Sequence, residues 1–318
     1  MRRLAGLLGA HESPDSETAS AWLLAREEDS IERMPREVEI ELTTEDSYPN
    51  AMLRPRGDRV PRRGPLDVSL LRRLAEELSA FDDSLVILGG FGEPLRHPRF
   101  GDALGALRSH GVYGLGVRTA GVDLTDATID AMIGQRVDVL TVVLDAWTSE
   151  TYRRVNDPDA SGSPDLTQVQ AAIGRVAAVR ADRRTVCPIV VPEMTKAKQN
   201  VAELEAFYDG WLRSLGSVCI SGSSHYARQL DDHAVLKMAP SPRAPCRRLR
   251  SRCLILADGR VAACDQDFKG LHTVGDMNKQ SLAEIWHGAE LRRLRDAHRA
   301  GDYGVTPLCA ACDDWHRP

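Results

Sequence analysis

Six short apolar runs alternate with helix-patterned stretches between residues 38 and 220, and this alternation limits the fold more than any other feature of the chain. In Val38-Glu39-Ile40-Glu41-Leu42-Thr43 apolar and polar residues alternate, as in a half-buried strand. Leu85-Val86-Ile87-Leu88, Gly114–Val117, Val137–Leu144, Val186–Val191 and Val218-Cys219-Ile220 supply five more strands. Between them, Leu70, Leu71, Leu74, Leu78 and Phe81 fall at helical spacing. Further helices are expected over 99–110, from Asp126 with Thr125 as its cap, from Ser149, over 165–181, and along the stripe Val201, Leu204, Phe207, Trp211, Leu215. Such alternation requires a parallel sheet with right-handed crossovers, either an open doubly wound sheet or a curved partial barrel. Ligands then sit at the C-terminal ends of the strands.

The second constraint is cysteine. Of seven, five lie after residue 245. An odd, skewed set does not read as a secreted disulfide framework, so a reduced, cytoplasmic protein with a metal centre is expected. Cys309-Ala310-Ala311-Cys312 presents two sulfurs to one centre. Cys246 and Cys264 flank Leu254-Ile255-Leu256-Ala257-Asp258-Gly259-Arg260-Val261, apolar runs around an Asp-Gly turn, which is a hairpin signal. A hairpin draws its flanks together, so Cys246, Cys264, Cys309 and Cys312 form a candidate quartet for an iron–sulfur cluster or zinc. Cys253 is a fifth candidate. Cys187 and Cys219 lie on apolar strands and are expected to be small buried hydrophobes.

A net charge of -5 argues against a nucleic-acid surface, and no run of 18 apolar residues could span a membrane. The apolar stretch at residues 1–9 is short and soon followed by charge, so export is not expected; residues 1–35 read as an N-terminal arm. Residues 44–65, rich in proline and arginine, are expected to form a solvated loop, and 222–245 a linker. His97, His225 and His272 are expected on the surface or in loops. Asp265 and Asp267, beside Cys264, are read as turn caps, with proton transfer as the functional alternative. Arg247, Arg248, Arg250 and Arg252 form either a solvated edge or a cationic surround for a cluster. Trp286 and Trp315 are core or lid aromatics.

Three strand ends carry loops with chemistry: Gly89-Gly90-Phe91-Gly92-Glu93-Pro94-Leu95, Thr119-Ala120-Gly121 and Leu144-Asp145-Ala146. Together they resemble the radical S-adenosylmethionine (SAM) superfamily in its SPASM or twitch branch. Residues 89–98 resemble the glycine-rich motif that touches the SAM amino group, with Glu93 closing the loop. Thr119-Ala120-Gly121 resembles Thr-Asn-Gly, and Val143-Leu144-Asp145-Ala146, followed by Thr151-Tyr152-Arg153, resembles the Ser-Leu-Asp-Ala segment. Leu256–Val261, Val274-Gly275-Asp276, Ser281–Trp286 and Cys309-x-x-Cys312 resemble the extension carrying an auxiliary [4Fe–4S] cluster. The resemblance spans residues 36–315. It implies a partial (β/α)6 TIM-like barrel over 36–222 and a small cysteine-rich SPASM/twitch-type domain over 223–318. It also implies a cofactor pocket at Gly89, Gly90, Gly92, Glu93, Pro94, Thr119 and Asp145.

The chain departs from that family where its chemistry begins. The family's first strand leads into C-x-x-x-C-x-x-C, whose thiolates hold the SAM-cleaving cluster. Here Asp46, Asn50 and Leu53 occupy those positions, and no cysteine precedes Cys187. The resemblance therefore implies a degenerate member, a pseudoenzyme with a vestigial SAM pocket and one auxiliary [4Fe–4S] cluster, zinc being the competing metal. Its expected role is a non-catalytic or electron-transfer partner in a hetero-oligomer with an active radical SAM enzyme, acting on a small-molecule or peptide substrate in natural-product chemistry. The alternative is a stand-alone enzyme using SAM or a small ligand in non-radical chemistry at the barrel mouth. A weaker third reading is a zinc-stabilised module that senses a small ligand.

Overall fold

The computed structural model describes residues 33–48, 50–81, 83–156, 165–237, 239 and 242–317. The helical patch expected around Trp22 in the N-terminal arm lies outside the described residues.

The alternation becomes six parallel strands: β1 (Glu37–Glu41), β2 (Leu85–Gly89), β3 (Gly114–Thr119), β4 (Val139–Val143), β5 (Ile189–Lys196) and β6 (Cys219–Gly222). The helices between them are α1 (Val68–Leu78), α2 (Phe100–Ser109), α3 (Asp126–Gly134), α4 (Ser149–Asn156), α5 (Leu166–Asp182) and α6 (Leu204–Leu215). Each follows from its sequence. In α1 the stripe Val68, Leu70, Leu71, Leu74, Leu78 is buried, and Asp67 caps the first turn by accepting from Ser69 N. Thr125 caps α3 in a reciprocal pair with Thr128. Gly216, left-handed at φ +75, ends α6. Val38, Ile40, Val86, Leu88, Val117, Leu140 and Val142 lie on the helix-covered face of the sheet and join the main core.

Later elements are α7 (Arg248–Ser251), β7 (Arg252–Ile255), β8 (Arg260–Ala262), β9 (Thr273–Asp276), α8 (Leu282–Trp286), α9 (Ala289–Arg299) and α10 (Pro307–Ala311). The Asp-Gly hairpin forms as β7 and β8, paired antiparallel, with Gly259 at φ +86. A Cβ there would lie 2.3 Å from Asn278 Nδ2, so the turn requires glycine. The hairpin does not stand apart from the barrel. β7 pairs in parallel with β1, Val38 opposite Cys253, so the sheet runs β6-β5-β4-β3-β2-β1-β7-β8-β9 without interruption.

Four expectations are corrected. β5 begins at Ile189, after Cys187-Pro188, and Val186 is 76% exposed. Cys187 is half-buried, in the segment before β5 rather than on a strand, and Cys219 is exposed on the edge strand β6, so neither is a core hydrophobe. His97 is buried, its Nε2 bonded to Leu66 O at 3.0 Å. Most consequentially, Arg54, Arg56 and Arg63 of the 44–65 loop are buried rather than solvated. Among the described residues, no helix is long and apolar enough to cross a membrane.

Candidate metal centre

Cys246, Cys264, Cys309 and Cys312 line one cavity, which encloses about 480 Å³ of unfilled space including its mouth. Each comes from a different local device. Cys246 precedes α7, whose Arg248 and Leu249 N–H groups act on its sulfur. Cys264 follows β8 and accepts from Gln266 N at 3.2 Å. Cys309 lies in α10, where Thr306 caps the first turn by accepting from its N–H at 3.1 Å. Cys312 ends α10 and accepts from Asp314 N at 3.3 Å. Backbone N–H groups directed at cysteine sulfur are what an iron–sulfur site uses to stabilise thiolate charge.

Burial pushes up the Cys246 thiol, drives Cys264 well above the usual range and raises Cys312 to about 11. Without metal these thiols stay protonated at neutral pH, so loading the centre releases protons. Arg248, buried beside them, pairs with Asp265 at 2.6 Å, and Arg252 links Asp265 (3.7 Å) to Glu37 (3.2 Å). Two of the four arginines thus belong to a fixed cationic surround. His298, Leu249, Leu294 and Trp315 supply much of the rest of the wall. His298 was not foreseen. Its Nδ1 accepts from Cys246 N at 3.3 Å, a link that only the tertiary fold creates.

Cys253 does not join the quartet. Strand alternation turns it and Ile255 into the main core, while Leu254 packs with Phe91 and Phe268 on the other face. Burial holds its thiol up at about 12. Among the described residues, no three His, Cys, Asp or Glu side chains converge as closely as a single metal ion requires. Four thiolates lining one cavity suit either a zinc ion or the corners of an iron–sulfur cluster. Asp267 accepts from Leu271 N and His272 N, the expected turn cap. His225 pairs with Asp313 at 3.2 Å.

The barrel mouth presents a different picture. Asp46 accepts from Tyr48 N and lies 2.7 Å from Arg56 Nη1; Asn50 is exposed; Leu53 packs in a small apolar cluster with Val155 and Ala197. These three positions share no donor set. Arg54 reaches Asn156 Oδ1 at 3.0 Å and faces Asp145 at 3.8 Å. Arg118 grips Glu193 through two bonds of 3.0 and 3.1 Å, and Ser221 donates to the same carboxylate at 2.8 Å. The pair was not foreseen from sequence: β5 carries Lys196 as well as Glu193, and nothing local marks which charge meets Arg118.

The seven pocket residues of the sequence reading sit at the ends of β2, β3 and β4, and most are occupied internally. Gly90 N–H donates to Glu39 Oε1 at 2.9 Å. A Cβ on Gly89 would come 3.1 Å from that oxygen, and one on Gly92 2.0 Å from Thr43 O, so Gly92 is required by packing on the exit of β1. Glu93 accepts from Leu95 N (3.2 Å), Thr119 Oγ1 (2.8 Å) and Ala120 N (2.9 Å), and Pro94 starts the short 3-10 turn beyond it. Asp145 accepts from Thr195 N at 2.7 Å.

Burial raises Glu93 to about 7 against the pull of its three donors. The folded state therefore binds the extra proton between pH 4.5 and 7. This contribution is complete below 4.5 and is lost as pH rises through 7. Urea midpoints between pH 5 and 8 should decline more steeply for the native protein than for Glu93→Gln, the difference amounting to at most ~3 kcal/mol. Equal slopes would show that burial does not dominate at Glu93.

Residues 246–313 match the SPASM family, an iron–sulfur cluster-binding domain. Over nearly the whole chain the fold matches SuiB of Streptococcus suis bound to its precursor peptide SuiA, at 12% identity and a TM-score of 0.65, covering 96% of this chain and 78% of that one. The protein has a radical SAM fold with a SPASM domain. BtrN in complex with AdoMet and 2-DOIA matches at 17% identity and a TM-score of 0.58, covering 87% of this chain and 92% of that one. At these identities the likeness is one of fold. In sequence, an uncharacterised protein of Treponema pallidum is 26% identical over 261 residues, 78% of this chain and 68% of that protein. A tungsten-containing aldehyde ferredoxin oxidoreductase cofactor-modifying protein of Pyrococcus furiosus is 30% identical over 83 residues, 26% of this chain and 23% of that protein. The cysteine quartet lies within the SPASM match, and an iron–sulfur cluster is the group that this domain binds.

Proposed function

We propose that this radical SAM-fold protein carries a single [4Fe–4S] cluster, held by Cys246, Cys264, Cys309 and Cys312, and serves a catalytically active radical SAM enzyme as a non-catalytic partner. The observation that carries this reading is the loop after β1. Its three cluster positions hold Asp46, Asn50 and Leu53, and two of them are built into ion pairing and apolar packing. A centre ligated by four thiolates supplies one-electron transfer or structural bracing. The chain's own part is to hold the four sulfurs, surround them with Arg248 and Arg252, and shield them with Trp315 and Leu294. The ligands bound in the structural relatives, a precursor peptide for SuiB and AdoMet with 2-DOIA for BtrN, favour modification of a peptide or small molecule as the chemistry this protein serves. Free rather than disulfide-bonded cysteines are in keeping with a cytoplasmic setting for this role.

The test is anaerobic co-purification with each radical SAM enzyme encoded beside this chain, together with SAM titration by calorimetry. A stable hetero-oligomer and no saturable SAM binding are expected. SAM binding by the isolated protein would instead favour a stand-alone enzyme acting at the barrel mouth through the intact glycine loop.

A further inference from the structure

A second cleft opens on the C-terminal rim of the barrel and shares no lining residue with the cysteine cavity. Lys196 and Gly222, the last residues of β5 and β6, form one side with Ser223. The run Ala234-Val235-Leu236, His316 and Arg317 complete the lining. The cleft has a cavity volume of about 240 Å³, below that of drug-sized sites and enough for a ligand of a few heavy atoms.

Its chemistry is one-sided. The lining holds two cationic side chains and no carboxylate, in a protein of net charge -5. Arg317 is already committed: Nη1 donates to Gly222 O at 3.0 Å and Ser223 O at 2.9 Å, and Nε pairs with Asp314 at 3.0 Å. These bonds fix the rim. Lys196 has no ion-pair partner among the described residues. Ser223 is 5% exposed, and its Oγ, like His316 Nδ1, has no hydrogen-bond partner among the described residues. A buried hydroxyl without a partner is unfavourable unless a ligand or water completes it. Beside these polar groups Leu236 is 72% exposed, with Val235 next to it.

We propose that this cleft binds a small amphipathic carboxylate. Its oxyanion sits between Lys196 Nζ and Ser223 Oγ, and its apolar body lies on Val235 and Leu236. One uncommitted cation matches one negative charge, which favours a carboxylate over a phosphate dianion. The site stands independently of the cluster and of the partner role.

Calorimetric titration of the full, cluster-loaded protein tests it with hexanoate, hexanol and inorganic phosphate as probes. Hexanoate should bind saturably, and hexanol about tenfold more weakly or worse, since it keeps the apolar body without the charge. Lys196→Ala should weaken hexanoate binding about tenfold, with Lys196→Arg recovering part of the loss. Leu236→Ser should weaken hexanoate and leave phosphate unchanged. The proposal is overturned if hexanoate gives no saturable heat, if hexanol binds as well, or if phosphate binds more tightly than hexanoate. Should Lys196→Ala fold poorly by circular dichroism, the hexanoate–hexanol comparison on the unaltered protein decides.

Discussion

Replacing Cys309 and Cys312 together with alanine should reduce anaerobically reconstituted iron from about four atoms per chain to near zero and abolish the visible charge-transfer absorption. The two residues supply half the sulfurs lining the cavity, and Cys246 and Cys264 alone cannot ligate a four-iron core. Cys253→Ala should leave the iron count unchanged, because that side chain faces the core. The native count separates the hypotheses sharply. About eight irons per chain would mean that a second cluster assembles, and would sink the interpretation of the loop after β1. One zinc and no iron would replace the cluster by a single ion.

The largest stability effect is expected at Arg63. Its Nη1 donates to both oxygens of Glu41, at 3.2 and 2.9 Å, and Nη2 donates to Phe268 O at 2.8 Å. Glu41, on β1, also accepts from Ala257 N in the hairpin turn at 2.9 Å. One buried pair therefore ties the arginine loop, the first barrel strand and the SPASM hairpin together. Arg63→Ala leaves a carboxylate with no solvent and no counter-charge, a loss of about 3–5 kcal/mol. The double variant Glu41→Gln/Arg63→Ala should recover much of this, because the amide is neutral and still accepts from Ala257 N–H. Urea unfolding followed by circular dichroism measures both. A loss below about 1 kcal/mol for the single variant would show that Glu41 is protonated or hydrated in the native protein, consistent with the upward pull of burial on its carboxyl.

The elements governed by neighbours in sequence were readable from sequence. Asp258-Gly259 marked the hairpin, Thr125 the start of α3, and Leu70, Leu71, Leu74, Leu78 the face of α1. The quartet was readable because C-x-x-C and a hairpin both act over short distances. The arginine loop was not. Whether Arg54, Arg56 and Arg63 face water depends on Asn156, Asp46 and Glu41, and arginine spacing carries no trace of those partners. Burial of a charge is decided by the tertiary counter-charge, as it was for Arg118 and Glu193, 75 residues apart. Cys219 failed for a related reason: apolar neighbours announce a strand but not whether it lies at the edge of its sheet, while Cys187 falls short of the strand its neighbours suggested, which starts at Ile189.

The uninterrupted sheet also sets an order of events during synthesis. β1 is made before every other described strand, yet one of its two neighbours, β7, begins at Arg252, 215 residues after Glu37 (252 minus 37). At typical translation rates that interval lasts roughly 10–40 s. Throughout it, a parallel strand carries a bare row of N–H and C=O groups able to recruit the wrong chain. Glu37, Glu39 and Glu41 alternate along that strand, and three like charges on so short an edge repel a second copy of themselves. The glutamates that pair with Arg252, Gly90 N–H and Arg63 in the finished fold are, on the unpaired strand, like charges that disfavour pairing with a second copy.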